Sequence, residues 1–160
     1  MARFKFEGVD DLVARYEKLN QKSLEVVGKA IYNGAGVVMD IVEEAVEAIN
    51  IDDNFATSEN PKSGPSTIQK IGLIRSLGIS KMREDGSFLN VKIGFDGYNN
   101  LKTKKWPQGQ PNSMVARSIE SGTSFMIKQP FMRPAEQSAK GPCEAIMART
   151  VDKEIEKIME

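Results

Sequence analysis

The sequence contains no histidine and one cysteine, Cys143, in 160 residues. Without an imidazole it cannot assemble Ser-His-Asp or Cys-His nucleophile pairs, a histidine general base, or the usual His-containing zinc and non-haem iron sites. Any catalysis would fall to carboxylates, Lys or Tyr. A lone cysteine forms neither an internal disulfide nor a Cys-cluster metal site, which fits a reducing compartment or a fold that needs no disulfides. Net charge is missing too, with 22 Lys and Arg against 22 Asp and Glu, so the chain is not a globally basic nucleic-acid binder. No stretch approaches the roughly 18 apolar residues of a membrane span, and the N-terminus lacks the apolar run of a signal peptide. The expectation is a single domain over residues 1–160, neither secreted by a signal peptide nor membrane-spanning.

Apolar periodicity supplies the positive signal. Phe4 and Phe6 alternate with Arg3, Lys5 and Glu7 in a short strand-like run ending at Gly8. Asp10 and Asp11 then stand where an N-cap and first-turn acid belong, ahead of Leu12, Val13, Tyr16 and Leu19, which predicts a short amphipathic helix. A second, longer helix is predicted from about Ser23 to Ile49, because Leu24, Val27, Ile31, Ala35, Val38, Val42, Ala45 and Ile49 advance by threes and fours as one buried stripe. Gly28, Gly34 and Gly36 interrupt it, and predict a kink or close packing near Asn33–Gly36.

The remainder alternates loops with shorter elements. Residues 50–70 are polar and carry Pro61 and Pro65, and read as a mobile insert. Gly72–Ser80, a turn at Glu84–Ser87 and Phe88–Phe95 read as a hairpin, with Val91, Ile93 and Phe95 on one face. A second loop spans 96–112 and holds the only tryptophan, Trp106. Val115–Thr123 is ambiguous between helix and strand. Phe131–Ala135 opens a helix at Pro134, which Gly141-Pro142 should break or bend before Met147, Val151, Ile155 and Ile158 mark a closing amphipathic segment. This order implies an α+β fold, with long N-terminal helices and a C-terminal helix packed on a small antiparallel sheet.

Few residues are spaced for chemistry. Glu43 and Glu47 stand at i and i+4 and could in principle pair for acid/base or metal work, but a solvated or partner-facing acidic face suits like charges better. Asp52-Asp53-Asn54 lacks the glycine and distal glutamate of a calcium loop. No phosphate loop, dinucleotide fingerprint or nucleophile elbow occurs, so no catalytic residue, cofactor or metal is expected. Lys102-Thr103-Lys104-Lys105-Trp106 combines cations with an aromatic ring, the ingredients of single-strand contact, but one short run on a neutral chain also suits a solvated loop.

Charge is distributed unevenly. Residues 30–61 carry seven acids and no Lys or Arg, whereas residues 62–133 carry twelve bases and four acids. Such segregation suits complementary docking of one subunit on another or on a partner, with Glu43, Glu44 and Glu47 as the acidic patch. The two halves could equally neutralise each other within one subunit.

The ordered motifs resemble a known family. Phe6, Gly8, Asp10 and Leu12 come first, followed by the long Ala/Val-rich helix. Gly-Leu-x-Arg-Ser-Leu follows at Gly72–Leu77 and Val-x-Ile-Gly at Val91–Gly94. Then come Ile-Glu-x-Gly-Thr at Ile119–Thr123 and Gln-Pro-Phe-Met-Arg-Pro-Ala at Gln129–Ala135. The chain thereby resembles the small head-to-tail joining, or tail-completion, proteins of long-tailed bacteriophages of the Hong Kong type, often carried in prophages. It departs from them in lacking a Pro-x-x-Thr-Gly-x-Leu turn directly after the long helix. The resemblance implies a non-enzymatic structural protein of the virion, made in the bacterial host cytoplasm. Its partners would be phage tail or neck proteins, with a ring-like homo-oligomer as one form and no membrane partner.

Within that resemblance Arg75, Glu120, Gly122, Thr123, Pro130, Phe131, Arg133 and Pro134 are the motif and interface candidates. Gly122 should adopt a positive φ that redirects the chain. Pro130 and Pro134 should fix an extended approach and a helix start, with Phe131 and Met132 as core or interface anchors. Arg133 could pair with Glu120 or with a neighbour. The alternative from another class is a nucleic-acid-binding module using the basic 62–133 region, which the neutral total does not favour.

Overall fold

A computed structural model describes residues 9–86 and 88–160 of the chain. The strand-like run at 3–8, including Phe6 and Gly8 of the first motif, lies outside the described residues, as does Ser87. Helix α1 spans Val9–Glu47, α2 Thr67–Ser76, α3 Asn112–Ser121 and α4 Met132–Met159. Between α2 and α3 lie four short strands, β1 (Leu77–Ile79), β2 (Arg83–Asp85), β3 (Phe88–Asn90) and β4 (Ile93–Phe95). The fold is α+β, with long helices against a small antiparallel ribbon.

The two expected N-terminal helices are one helix, roughly 58 Å long at 1.5 Å per residue. Asn20-Gln21-Lys22 contains neither Gly nor Pro and costs little helix propensity. The Ser23 hydroxyl donates to the Asn20 carbonyl at 2.9 Å within the helix instead of capping a new one. Asp11 lies in the first turn as expected, and Asp10, expected as the N-cap, lies inside that turn as well; both complement the helix dipole. No cation of α1 lies in its last turn. That role passes to Lys70 of α2, whose ammonium donates to the Glu47 and Ile49 carbonyls at 2.6 and 2.8 Å.

Helix α4 runs antiparallel along α1. Its far end meets the start of α1, where the Arg15 guanidinium donates to the Met159 carbonyl, and Lys29 pairs with Glu154 at 2.8 Å. Further along, Asn33 Nδ2 donates to Thr150 Oγ1 at 3.1 Å. This docking alters the expected stripe. Ahead of Gly34 the buried residues of α1 are Val26 and Ala30, whereas Leu24 and Val27 are 63% and 42% exposed. The stripe packs on the core only from Ala35 onward, with Ala35, Val42 and Ile49 buried and Val38 and Ala45 half-buried. Gly34 accounts for the close packing: a methyl there would lie 2.7 Å from Met147 Cγ and 2.9 Å from Cys143 Sγ. No break occurs at Asn33–Gly36, and α4 likewise continues through Pro142 without breaking. Pro142 forfeits one backbone hydrogen bond, a local loss that packing along α1 outweighs.

The core gathers Val42, Val46 and Ile49 of α1, Leu73 of α2, Val115, Ala116 and Ile119 of α3, then Met126, Phe131 and Ala135. Each large apolar side chain so buried contributes about 1.5–3 kcal/mol. Phe95 closes the ribbon side, edge-on to Phe131 with ring centroids 6.1 Å apart.

The expected hairpin is present but starts later. Gly72–Ser76 belongs to α2, which opens on a capping box at Ser66 and Gln69. β1 pairs antiparallel with β4 in the register Leu77–Phe95 and Ile79–Ile93. β2 pairs antiparallel with β3, Arg83 opposite Asn90. The two ladders are joined by Ser80 N–H donating to Lys92 O at 2.7 Å. The ambiguous 115–123 region is helical through Ser121.

Candidate functional site

The Glu-x-Gly-Thr and Gln-Pro-Phe-Met-Arg-Pro-Ala motifs form one structural joint. Glu120, near the end of α3, projects its carboxylate onto the start of α4. There it accepts N–H groups from Phe131 at 2.7 Å, Met132 at 2.8 Å and Arg133 at 3.2 Å. These are orphan donors of a helix N-terminus, which has no capping side chain of its own. Partial burial acts to raise the Glu120 pKa, but the three backbone donors and the Arg133 charge outweigh it and hold the carboxyl below its usual range. Of the two partners open to Arg133, Glu120 forms no ion pair with it among the described residues and takes its backbone N–H instead.

Gly122 follows with φ +75°, ending α3 and turning the chain as its place after Glu120 predicts. Thr123 closes a tight turn with Met126 by hydrogen bonds of 2.9 and 3.3 Å. Phe131 is a core residue at 4% exposure, and Pro130 and Pro134 lie exposed beside the end of α1. Gln129, passed over as a functional candidate, has the widest reach. Its Oε1 accepts from Asn50 N–H at 3.1 Å, and its Nε2 donates to the carbonyls of Asn50 and Ser63 at 3.0 and 2.8 Å. It thereby ties the segment after α1 to the second motif.

The 50–70 segment holds many internal bonds, and its last residues, 67–70, are the first turn of α2. Asp52 accepts from Ser63 N–H at 2.8 Å and Asn54 N–H at 3.0 Å, which lower its pKa to about 2. Asp53 accepts from the Thr67 hydroxyl and N–H at 2.6 and 2.8 Å, and its pKa is lowered for that reason. Glu154 is held at about 2 by Lys157 and then Lys29. Every carboxylate with a lowered pKa among the described residues is engaged in turn, cap or ion-pair structure.

The remaining candidates are dispersed. Arg75 lines a cavity of about 710 Å³ between α2 and the 96–112 segment. Arg133 lines a separate groove of about 680 Å³, bounded by α1, Ile93 and α4. Glu44 and Glu47 are exposed and Glu43 half-buried, on the C-terminal half of α1. None of the three enters an ion pair among the described residues, and no cluster of potential metal ligands occurs there. The four ion pairs among the described residues all lie on α1 and α4, so none of them joins the acidic 30–61 block to the basic 62–133 block. Lys105 rests 5.7 Å from the centre of the Trp106 ring, a cation–π contact within the loop itself. No described helix is long and apolar enough to cross a membrane.

Two features had no sequence signal. Asn99 and Asn112 are buried, and the Asn99 Nδ2 and Asn112 Oδ1 atoms lack hydrogen-bond partners. Each such group costs about 1–3 kcal/mol. The second feature is the bare face of α1, where Leu12, Val13, Tyr16, Leu24 and Val27 are between 42% and 63% exposed. Comparison of the chain with protein-family models, curated proteins and solved structures finds no match in any of the three.

Proposed function

We propose that the protein is a non-enzymatic assembly component of a phage virion, acting through protein–protein contact at the junction of head and tail. The observation that carries the reading is the bare apolar face on the N-terminal half of α1. Two helical stripes run along this segment; α4 covers Val26 and Ala30, and nothing in the described chain covers Tyr16, Leu24 and Val27. Apolar groups aligned at helical spacing and left in water favour a protein partner. Exposed Phe55, Phe88 and Phe125 elsewhere extend the apolar surface available for docking. The unpaired acidic patch Glu43, Glu44 and Glu47 supports the same reading by supplying a charge that a partner can register against. The motif resemblance supplies the phage setting. A standard interface of about 800 Å² per partner fits a surface of 11506 Å².

The test is to mix the protein with tail tube and connector proteins of its phage and measure the mass of the particles formed. Incorporation is expected, with unjoined heads and tails accumulating when the gene is removed. Failure to join any particle, together with joined and infectious particles in its absence, overturns the proposal.

A further inference from the structure

The cavity between α2 and the 96–112 segment lies apart from the bare face of α1 and from the Glu120 joint. Its wall includes Asn99 and Asn112, 4% and 2% exposed. Each side-chain amide has one half engaged. Asn99 Oδ1 accepts from the N–H groups of Leu101 and Gln110 at 2.9 and 3.3 Å, which leaves Nδ2 as its free end. Asn112 Nδ2 donates to the Asp96 carbonyl at 3.0 Å, which leaves Oδ1 free. Neither amide can flip without losing these bonds. One donor and one acceptor are thus buried, fixed in orientation and unpartnered in the same wall. They are also neighbours: a methyl on Gly72 would lie 2.6 Å from Asn99 Cβ and 2.7 Å from Asn112 Oδ1.

The chemistry of that pair is selective. A carboxylate or phosphodiester offers acceptors alone and would oppose Asn112 Oδ1, while an ammonium offers donors alone and would oppose the Asn99 amide hydrogens. An apolar group would leave both unpaired. A hydroxyl or a water has its donor and acceptor on one oxygen, whereas a carboxamide presents a carbonyl and an N–H on separate atoms in one plane and answers the two side chains at once. The mouth suits its carrier, since Ile68, Ile71 and Tyr98 are exposed at 44%, 43% and 65% around the cavity and offer apolar surface to an aliphatic stem.

We propose that this cavity is a carboxamide-binding site. It takes an Asn or Gln side chain, or a peptide unit, of an incoming polypeptide on Asn99 Nδ2 and Asn112 Oδ1. The assignment rests on the cavity itself and holds whether or not the protein serves a phage. Because the two atoms are sealed from bulk water, the occupant reaches them only as the cavity wall around the asparagines opens locally, while the exposed side chains at the mouth hold its stem.

The experiment titrates the full-length, isotope-labelled protein with propionamide, N-methylacetamide and sodium propionate, and follows the side-chain amide NMR signals of Asn99 and Asn112. Saturable shifts with propionamide assign a side-chain source, and saturable shifts with N-methylacetamide a peptide-unit source; either supports the site. Propionate, of the same shape but without an N–H, is expected to leave both signals in place. Asn99→Asp keeps the acceptor for Leu101 and Gln110 but replaces the free donor with an acceptor, and is expected to weaken amide binding about tenfold. The wild-type comparison of propionamide with propionate stands even if that variant fails to fold. Equal responses to the two probes, or no saturable response to either amide, would overturn the assignment. So would an internal water only, held by both asparagines and not displaced by amide.

Discussion

Glu120→Ala tests whether the Glu120 joint is structural. The substitution removes three acceptor contacts, of 2.7, 2.8 and 3.2 Å, from the first turn of α4, which has no other side-chain cap. Loss of a good N-cap costs about 1 kcal/mol, and loss of a negative charge near a helix N-terminus a further ~0.3–1 kcal/mol. Phe131 and Met132 are partly sealed by the core, so water replaces the lost acceptor poorly. The expected total is about 2 kcal/mol, or roughly 4–8 °C in melting temperature for a chain of this size. The sign of the pH dependence follows from the lowered folded pKa. The contribution is complete above the ordinary value of 4.5 and fades as pH falls through the lower folded value. Glu120→Gln, which keeps an acceptor but not the charge, should lie between wild type and alanine and lose the pH dependence assigned to this group. Urea unfolding at neutral and acidic pH reads both effects. A Glu120→Ala midpoint within error of wild type, at unchanged slope, would refute the capping argument.

Two glycines of α1 predict opposite outcomes by the same assay. Gly34→Val forces bulk onto Met147 and Cys143 and should cost about 1–3 kcal/mol, whereas Gly36→Ala meets nothing within 4 Å and should stabilise by about 0.5–1 kcal/mol. Leu73→Ala, at a fully buried core position, should cost about 2–5 kcal/mol in urea unfolding. Leu24→Glu with Val27→Glu should leave monomer stability within about 0.5 kcal/mol while abolishing entry into particles, as read by their mass. Reversing Glu43, Glu44 and Glu47 to Lys should weaken the same assembly at equal monomer stability, and unchanged assembly would mean that the acidic patch contacts no partner.

Local periodicity carried much of the fold, and its failures have identifiable causes. The spacing from Ala35 to Ile49 marks the core face of α1, because that half packs on several elements at once. From Leu24 to Ile31 the same spacing continues with Leu24 and Val27 exposed and Ile31 half-buried, since α4 docks on the neighbouring stripe at Val26 and Ala30. Nothing in the sequence of α1 distinguishes a stripe facing the core from one awaiting a partner. Helix α2 was legible in principle: Ser66-Thr67-Ile68-Gln69 is a capping box, and it moves Gly72–Ser76 from strand to helix. Pro142 misleads in the other direction, because its local penalty is set against the packing of a 28-residue helix.

The sites were less legible for a related reason. Glu120 stands out within its motif, but its partners are backbone N–H groups, which no residue code reveals. Gln129 binds main-chain atoms of Asn50 and Ser63 in the same way. The two asparagines of the cavity acquire meaning only once their other hydrogen bonds fix which atom is left over. Charge shows the converse. The equality of 22 and 22 suggests a surface without direction, yet the described ion pairs lie only along α1 and α4. Lys70 binds carbonyls, and Asp52 and Asp53 bind hydroxyl and amide donors, so no described ion pair joins the two blocks, and the Lys62 charge acts on Asp53 only as a lesser contribution beside the Thr67 hydrogen bonds. With screening over about 8 Å at physiological salt, charges of the two blocks that no described ion pair engages act close to contact. Their effect falls on the register of a docked partner more than on its long-range capture. The bare apolar face of α1 would then supply affinity, and the acidic patch orientation.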